Sequence, residues 1–442
     1  GGSSSINGMV YVRGLPSDFD GWEKAGSPGW GYSDVLPYFK VSEDWQCANS
    51  NVRGQGGPLQ VRNVRWDDAL TRAFSRAAQA VGLPENDDYN DGAQEGYGVY
   101  QQMATGRRRA SAAQAFLRPV RRMPNLHIRT ETMVVRVVVS GGRAIGVTCR
   151  RGAGGTLEFI GARKEVVLSA GAANTPKLLQ ISGLGPAKLL KSIGVEVVAD
   201  IPGVGENLQD HYCCRSAVRV RNTRSMNEIS RMPLLGLEMI KWLVGRQSIL
   251  SISPSIIAFF ARSGLSKDID LQGAFLPASY AGGPTRSLEA KSGMTCTVWQ
   301  HRPESVGYLH ARTADAYDTS VVQPNYLDAE IDQQVIVSGI RLMRKLTSAP
   351  SFRPFFEQEL SPGIDLQSDD ELLDYARRTG STVYHLCGTA KMGPKSDPMA
   401  VVDHQLRMHA VDGLRVVDAS IMPKLVSGNT CAKSWAAEGK RA

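Results

Sequence analysis

The chain has 442 residues, of which 42% are hydrophobic and 21% charged, and its formal net charge is +8. This ordinary globular composition excludes a disordered, collagenous or fibrous protein. The charge is spread thinly, which argues against a nucleic-acid partner, and no apolar run reaches the ~18 residues of a membrane-spanning helix. At about 150 residues per domain, two or three domains are expected.

The seven cysteines are irregularly spaced, and no two of them form a Cys-x-x-Cys pair. This usage predicts reduced thiols in a cytoplasmic protein. The histidines outside the motifs described below show no His-x-x-x-His or carboxylate pattern, so no metal site is predicted.

The first third of the chain contains three predicted helices. They cover residues 33–40, residues 66–82, where the spacing is amphipathic and Gly82 ends the helix, and residues 110–117, which stop before Pro119. The character then changes to short β-branched runs separated by glycine-rich turns. These runs predict strands at residues 126–129, 133–139, 144–148 and 165–168.

A strand–turn–helix unit is predicted where the last of these runs ends. The turn SAGAAN follows it, Thr175 would cap the helix, and Pro176 would lie in its first turn. Such a unit places a phosphate or a cofactor edge at the N-terminus of a helix.

The remainder of the chain predicts a second, interleaved unit. Residues 225–263 are apolar with helical spacing, residues 270–330 alternate as strands, and residues 330–347 form a helix that Asp328 could cap. We therefore expect a β-rich cofactor domain in several pieces, interrupted by a second domain.

The Gly/Ser-rich start, GGSSSINGM, is the first candidate site. Glycines allow close backbone approach, and successive N–H groups can form a cradle for an anion or a carbonyl. A flexible linker or tag has the same composition. Here the segment leads directly into MVYVRG, which is not typical of a linker.

Two further candidates lie near the C-terminus. His385, in YHLCGTAKMG, stands between an aromatic residue and a glycine-rich turn and could act as a general base; a buried, hydrogen-bonded histidine is the alternative. Asn429 follows a strand that ends at Asp418, and it could bind a substrate or simply occupy a turn. In PGVGENLQDH, a structural role is favoured for Asp210 and His211.

Taken in order, these segments resemble blocks of the glucose–methanol–choline (GMC) oxidoreductase family. The similar blocks are GGSSSINGMVYVRG, SAGAANTPKLLQISGLG, PGVGENLQDH, YHLCGTAKMGP and VVDASIMP with SGNT. The resemblance implies a mixed α/β fold, in which an FAD-binding Rossmann-like domain is interleaved with a substrate domain of antiparallel sheet and helices. The FAD-binding domain would comprise residues 1–60, 121–211 and 376–442, and the substrate domain residues 61–120 and 212–375.

The chemistry implied by this resemblance is the oxidation of a primary alcohol, either choline or an aliphatic or aromatic alcohol. His385 matches the catalytic histidine and would take the hydroxyl proton while a hydride passes to flavin N5. Asn429 matches the second active-site position and would hold the oxygen. Trp299 and Tyr384 are candidates for holding a cationic substrate, although core packing is favoured for Trp299.

The resemblance also implies a set of cofactor contacts and partners. Gly2, Ser3, Asn7 and Gly8 would line the flavin, the backbone of Val134 would meet the adenine, and Asp418 and Ala419 would lie by the pyrophosphate and flavin. Ile6 stands where some members carry a histidine joined covalently to FAD, so noncovalent FAD is expected. Electrons would pass to a quinone-type acceptor, from a cytoplasmic protein that contacts the inner membrane peripherally.

Two departures from the family pattern stand out. The Gly-x-Gly-x-x-Gly βαβ unit belongs upstream of Gly1, so the FAD-binding domain is expected to lack its first βαβ unit by N-terminal truncation. At the other end, Lys433 replaces a proline and the last helix would be short and polar. Two alternatives therefore stay open: a GMC-fold lyase with a non-redox flavin, and an inactive truncated fragment.

The missing diphosphate cradle generates a first prediction. The 442-residue polypeptide alone should bind FAD poorly, because the βαβ unit supplies the helix N-terminus on which the diphosphate rests. Absorbance spectroscopy of the purified chain checks this, and a flavin band at stoichiometric FAD would contradict it.

Overall fold

Buried apolar side chains collect into two separate cores in the computed structural model, which describes residues 2–48, 50–152, 154–281 and 287–432. The architecture is mixed α/β, as predicted. The α-helices are Pro16–Lys24, Tyr32–Ser42, Ala69–Ala80, Arg118–Val120, Gly171–Ile181, Ala187–Ser192, Met226–Ile229, Leu234–Leu243, Glu330–Thr347 and Asp369–Thr379. Shorter 3-10 or π turns are Gly2–Ser5, Ala113–Leu117, Ile249–Ser251, Pro350–Phe352 and Ala419–Ile421.

The first core surrounds the predicted strand–turn–helix unit. Strand Val166–Leu168 pairs in parallel with Leu414–Val416, and the helix Gly171–Ile181 follows it. Small sheets surround this centre and are formed by Glu43–Trp45, Leu59–Asn63, Gln101–Thr105 and Arg108–Arg109; by Thr132–Ser140, Arg143–Arg151 and Leu157–Gly161; by Leu184–Gly185 with Ala199–Asp200; and by Tyr308–His310 with Val321–Gln323.

The second core is built on a seven-stranded antiparallel sheet. Its strands are, in spatial order, Phe356–Ser361, Tyr212–Val220, Gly293–Gln300, Leu271–Leu276, Ile257–Ala261 and Gly96–Val99, with Ser381–Thr382 paired to Tyr212–Val220. The helix Glu330–Thr347 packs on one face, where a Cβ on Gly339 would come within 2.9 Å of Val298 Cγ1. Glycine therefore permits the close approach of this helix to the sheet.

The predicted division into five segments remains a proposal, and the two cores are consistent with most of it. The second core draws nearly all its residues from 61–120 and 212–375, but Val12 also joins it. Met103, Ala311 and Ala316 pack in the first core although they lie within the predicted substrate segments.

The prediction of helix over all of residues 225–263 is wrong at its end. Helices form at Met226–Ile229 and Leu234–Leu243, but Ile257–Ala261 is a strand, and every residue in that strand is buried. A strand covered on both faces reads as a continuous apolar run, so the period of two that would have identified it is absent.

Three local predictions are also wrong. No strand forms at residues 126–129, which are largely exposed. Helical structure continues through Pro119, which is the second residue of the short helix Arg118–Val120 that follows Ala113–Leu117. The residue before helix Glu330–Thr347 is Ala329, so Asp328 lies one position too early to cap it.

Other predictions on the chain organisation can be placed directly. None of the seven cysteines forms a disulfide, and the predicted helices at 33–40 and 66–82 correspond to Tyr32–Ser42 and Ala69–Ala80. Lys433 and the expected C-terminal helix lie outside the described residues. Among the described residues, no helix has both the length and the apolar character that crossing a membrane requires.

A buried ion cluster joins the N-terminal segments. The Glu43 carboxylate accepts from Arg13 Nη2 at 2.5 Å, from Arg53 Nη2 at 2.5 Å and Nε at 3.1 Å, and from the Gly54 amide at 2.9 Å. The three charged side chains are at most 1% exposed. Removing the one carboxylate would leave two buried guanidinium groups without their shared counter-ion, which is far more costly than losing a surface pair.

This cluster generates a prediction about stability. Glu43→Gln should lower the free energy of unfolding by about 3 kcal/mol, because it removes the carboxylate that two buried guanidinium groups share and leaves Arg53 with only its pair to Asp88. The matched control is Asp67→Asn, which breaks the exposed pair with Arg72 and should cost less than about 1 kcal/mol. Urea denaturation measures the free energy of unfolding of both variants. Equal losses in the two would contradict the stabilising role given to the buried Glu43 carboxylate.

Candidate active site

The Asp210 carboxylate fixes the backbone around the predicted catalytic histidine. Asp210 Oδ1 accepts from the amide of His385 at 2.8 Å and from that of His211 at 2.9 Å. The segments carrying these residues also pair directly, since the Gln209 and Cys387 amides donate to each other's carbonyls at 3.1 and 2.9 Å. One carboxylate therefore holds two chain segments in register.

The other oxygen of the same carboxylate is equally occupied. Asp210 Oδ2 accepts from Tyr326 Oη and from Thr382 Oγ1, each at 2.5 Å. Burial raises the pKa of the Asp210 carboxyl, and the four hydrogen bonds act against that rise. Burial and the Asp210 charge raise the pKa of the Tyr326 hydroxyl, so this phenol stays a donor.

The imidazole rings of His211 and His385 contact each other through their Nδ1 atoms, which are 2.8 Å apart. His211 Nε2 lies 2.8 Å from the carbonyl oxygen of His301. A carbonyl can only accept, so His211 carries its proton on Nε2, and in the neutral ring its Nδ1 accepts. The Nδ1 atom of His385 must then be the donor.

This assignment leaves His385 Nε2 with a lone pair. Asn429 Nδ2 lies 2.9 Å from His385 Nε2, and an amide nitrogen donates to a lone pair. The two contacts of the His385 ring thus agree on one tautomer, with the proton on Nδ1. In this form the outer nitrogen can accept a proton from a bound hydroxyl group.

A glutamine closes these contacts into a ring. Gln272 Oε1 lies 3.2 Å from His301 Nε2, and Gln272 Nε2 donates to Asn429 Oδ1 at 3.4 Å. The His385 side chain is 6% exposed and the other histidines of the ring are fully buried. Hydrogen bonds in such a low-dielectric setting are strengthened, and a broken one is costly.

The aromatic candidates for a cation site differ in their placement. Trp299 packs in the second core, as favoured from the sequence, with its ring 6.5 Å from that of His385. Tyr384 is 67% exposed and has a positive φ of 63°. A positive φ is strained for an aromatic residue, so the tight turn before His385 is held by the contacts around it.

The structure places the predicted flavin loop, residues 2–8, close to the turn that carries Asn429. Asn7 Nδ2 contacts Cys431 Sγ at 3.5 Å, two residues beyond Asn429. Arg109 Nη1 donates to the Asn7 carbonyl at 2.6 Å and to Asn7 Oδ1 at 2.8 Å, while Ser4 Oγ accepts from the Ala112 amide at 2.9 Å. The flavin loop therefore contacts both the segment after Asn429 and the segment that contains Arg109 and Ala112.

The residues present fit a flavin nucleotide. Gly2 and Gly171 have φ values of +52° and +83°, and no atom lies within 4 Å of a Cβ built on either. Left-handed glycines with open space above them allow a planar or anionic group to approach the backbone. Gly171 also begins the helix Gly171–Ile181, whose N-terminus favours negative charge.

The other predicted cofactor residues lie in three places. Gly8 accepts from Ser253 Oγ at 2.9 Å through its carbonyl, and the Ala419 carbonyl accepts from the amide of Gly388. Val134 lies in strand Thr132–Ser140 where the pairing shifts register, a bulge that leaves one residue unpaired with the neighbouring strand. No contact joins Val134 to the histidines within the described residues.

Asp418 serves the strand–turn–helix unit through its side chain. Its carboxylate accepts from the Gly171 amide at 2.9 Å, from Thr175 Oγ1 at 2.6 Å, and from the amide and hydroxyl of Ser420 at 2.8 and 2.5 Å. All four partners are protein groups, so this carboxylate binds helix and turn together.

The predicted helix start at Thr175 and Pro176 is wrong, because the helix begins at Gly171 and contains both residues. Pro176 has no N–H to offer the Ala172 carbonyl four residues earlier. Thr389 Oγ1 donates to that carbonyl at 2.7 Å instead. A side chain from the His385 turn thus replaces the hydrogen bond that the proline removes.

Sequence reasoning missed part of the site. Asp210 has the structural role that was favoured, and His211, for which the same role was favoured, contacts the His385 ring directly. The only sequence signal was the density of polar residues in PGVGENLQDH. His301 and Gln272 belong to no motif, because one contributes a carbonyl and the other an amide from separate strands of the sheet.

The chain is similar to known proteins over most of its length. Residues 1–213 and 303–437 match the two family models described as GMC oxidoreductase. The chain is 39% identical over 434 residues to the oxygen-dependent choline dehydrogenase of Brucella ovis, and 40% identical over 435 residues to that of Rhizobium etli. Each alignment covers 97% of this chain and 78% of the relative.

Solved structures are similar over nearly the whole chain. Pyridoxine 4-oxidase from Mesorbium loti superposes with a TM-score of 0.87 at 30% identity. The match covers 100% of this chain and 82% of the oxidase chain. An FAD-dependent oxidoreductase from Chaetomium thermophilum superposes with a TM-score of 0.86 at 26% identity, covering 100% of this chain and 84% of its own.

Proposed function

Because the chain belongs to the GMC oxidoreductase family, we propose that it oxidises a primary alcohol to the aldehyde, with His385 as the base. The family and its relatives make the chain an FAD-dependent oxidoreductase that acts on alcohol-type donors. FAD, when bound, accepts the hydride that leaves the substrate carbon. The chain's own residues bind the alcohol, orient it and remove its hydroxyl proton.

The contacts of the His385 and His211 rings are the observation that carries this proposal, because together they assign a lone pair to His385 Nε2. A histidine protonated on Nδ1 and hydrogen-bonded to His211 presents Nε2 to a hydroxyl group in the form that a general base requires. After it takes the proton, the ring is an imidazolium whose Nδ1–H still donates to His211. This hydrogen bond stabilises the charge that forms in the reaction.

Asn429 would orient the substrate oxygen. Its Nδ2 now donates to His385 Nε2 at 2.9 Å, so an alcohol oxygen has to enter between the two side chains. The oxygen then accepts from Asn429 Nδ2 while its hydroxyl donates to Nε2. Holding the oxygen between a donor and a base leaves its carbon free to release hydride, which is catalysis by positioning.

The cofactor contacts, the acceptor and the location are also proposals. Gly2, Ser3, Asn7 and Gly8 would hold the flavin, with the backbone of Val134 at the adenine and Asp418 with Ala419 near the pyrophosphate; FAD would be noncovalent. The exposed Ile6 side chain supports noncovalent binding, because a hydrocarbon forms no bond to flavin.

Electrons would pass to a quinone-type acceptor from a cytoplasmic protein in peripheral contact with the inner membrane. The relatives place choline first among the alcohols to be tested.

The role of His385 generates a prediction about turnover. His385→Ala should lower kcat/KM for the alcohol by more than about a hundredfold, since a general base contributes about 10²–10⁴. The assay follows reduction of a quinone dye by the FAD-loaded enzyme with choline, linear alcohols and aromatic alcohols. His409→Ala is the control, because the contact described for the His409 ring is with the Gly393 carbonyl, away from His385 and Asn429.

Two results would count against this proposal. Full activity in His385→Ala would exclude His385 as the base. Failure of every alcohol to bleach the flavin of the FAD-loaded wild-type enzyme would instead favour a lyase with a non-redox flavin.

His211 is predicted to act as a positioning residue. His211→Leu should lower kcat/KM by about ten- to a hundredfold, because misplacing a catalytic group by an ångström costs up to about a hundredfold. The limb of the pH profile that reports protonation of the base should also move to lower pH, because the protonated His385 ring loses its acceptor.

The matched variant is His211→Asn, whose side-chain oxygen can accept from His385 Nδ1. We expect it to restore the pH profile and part of the rate. If the leucine and asparagine variants lose activity equally and keep the wild-type profile, His211 has only a structural role.

A further inference from the structure

The helix Leu234–Leu243 turns an apolar face outward. Six large apolar side chains on this helix and its ends are at least half exposed: Met232, Leu237, Met239, Ile240, Leu243 and Val244. At 100° per residue they occupy one continuous side of the helix. A solvent-facing patch of this kind marks an interaction surface.

The polar side of the same helix faces the protein. The Glu238 carboxylate is buried, accepts from the Ile249 amide at 3.0 Å and pairs with Lys241 at 2.5 Å. Ser248 Oγ donates to the Glu238 carbonyl at 3.0 Å. The helix thus contacts the rest of the protein through Glu238, its one acidic residue. An ordinary surface helix buries its apolar face and exposes its charged face, and this helix does the opposite.

The apolar face is also firmly held. Arg107 Nη1 donates to the carbonyls of Trp242 and Leu243, the second at 2.6 Å, and Trp242 Nε1 donates back to the Arg107 carbonyl at 3.3 Å. The Arg107 guanidinium stacks over the Trp242 ring at 5.0 Å. The C-terminal end of the helix is therefore joined to the segment that carries Arg107.

The exposed charges of the segment that carries the face are of one sign. Arg231, Lys241 and Arg246 are exposed at its edge, and Glu238 is the only acid within residues 231–252. A second copy of this chain docked about a two-fold axis would bring these bases against one another with no exposed acid from the segment to pair with them. An anionic lipid surface complements both the apolar residues and the basic edge.

We propose that the outward face of Leu234–Leu243 inserts into the interface of a membrane that contains anionic lipids. Arg107 stands two residues before Arg109, which binds the Asn7 carbonyl of the proposed flavin loop. If the proposed function holds, this face places a lipid-dissolved electron acceptor on the flavin-loop side of the protein. The binding of lipid itself does not depend on that function.

Vesicle flotation tests the surface. The wild-type protein should float with mixed phosphatidylcholine and phosphatidylglycerol vesicles, bind pure phosphatidylcholine vesicles weakly, and lose binding as salt is raised. The double variant Ile240→Ser, Leu243→Ser should lower partitioning at least about tenfold, since each change removes exposed hydrocarbon that the interface would bury. Leu265→Ser, at a half-exposed apolar residue elsewhere, should leave it unchanged.

Further measurements separate the outcomes. Both serine variants should keep wild-type circular dichroism and wild-type reduction of a water-soluble dye, while the double variant alone loses reduction of a vesicle-dissolved quinone. A wild-type protein that ignores anionic vesicles, or one that sediments as a dimer which the double variant dissociates, would overturn the proposal. Vesicle binding without alcohol-dependent dye reduction would instead count against the proposed function alone.

Discussion

The hydrogen bond from His211 Nε2 to the His301 carbonyl sets the chemistry of the whole site. A carbonyl oxygen has no proton to give, so it determines which nitrogen of His211 is protonated. That choice passes through the Nδ1–Nδ1 contact to His385 and leaves the lone pair of Nε2 opposite Asn429. The direction of three hydrogen bonds thus follows from one backbone acceptor.

The residues of this hydrogen-bonded network come from both cores. His301 follows a strand of the antiparallel sheet, whereas the turns that carry His385 and Asn429 pack against the parallel pair and its helix. Asp210 joins the two regions because it binds the amides of His211 and His385 and also the Tyr326 and Thr382 hydroxyls. A buried carboxylate with four donors is stable in the interior, since every lone pair that burial would otherwise desolvate has a partner.

Local motifs made much of this predictable from the sequence. His385, Asn429 and the glycine-rich loops lie in short ordered blocks, and amphipathic spacing predicted the helix Ala69–Ala80. The contact of His211 with His385 was not predictable, because 174 residues separate them and only tertiary pairing brings them together. Ile257–Ala261 was misread as helical because burial on both faces removes the alternation that identifies a strand.

Nitrogen NMR of the protein labelled with ¹⁵N-histidine determines whether neutral His385 carries its proton on Nδ1. With seven histidines in the chain, the His385→Gln spectrum assigns the ring by difference. The contacts of the two rings predict a protonated Nδ1 and an unprotonated Nε2 for His385, with the opposite tautomer for His211. A neutral His385 ring protonated on Nε2 would contradict the proposed role of His385, because that nitrogen could not then accept a proton from an alcohol.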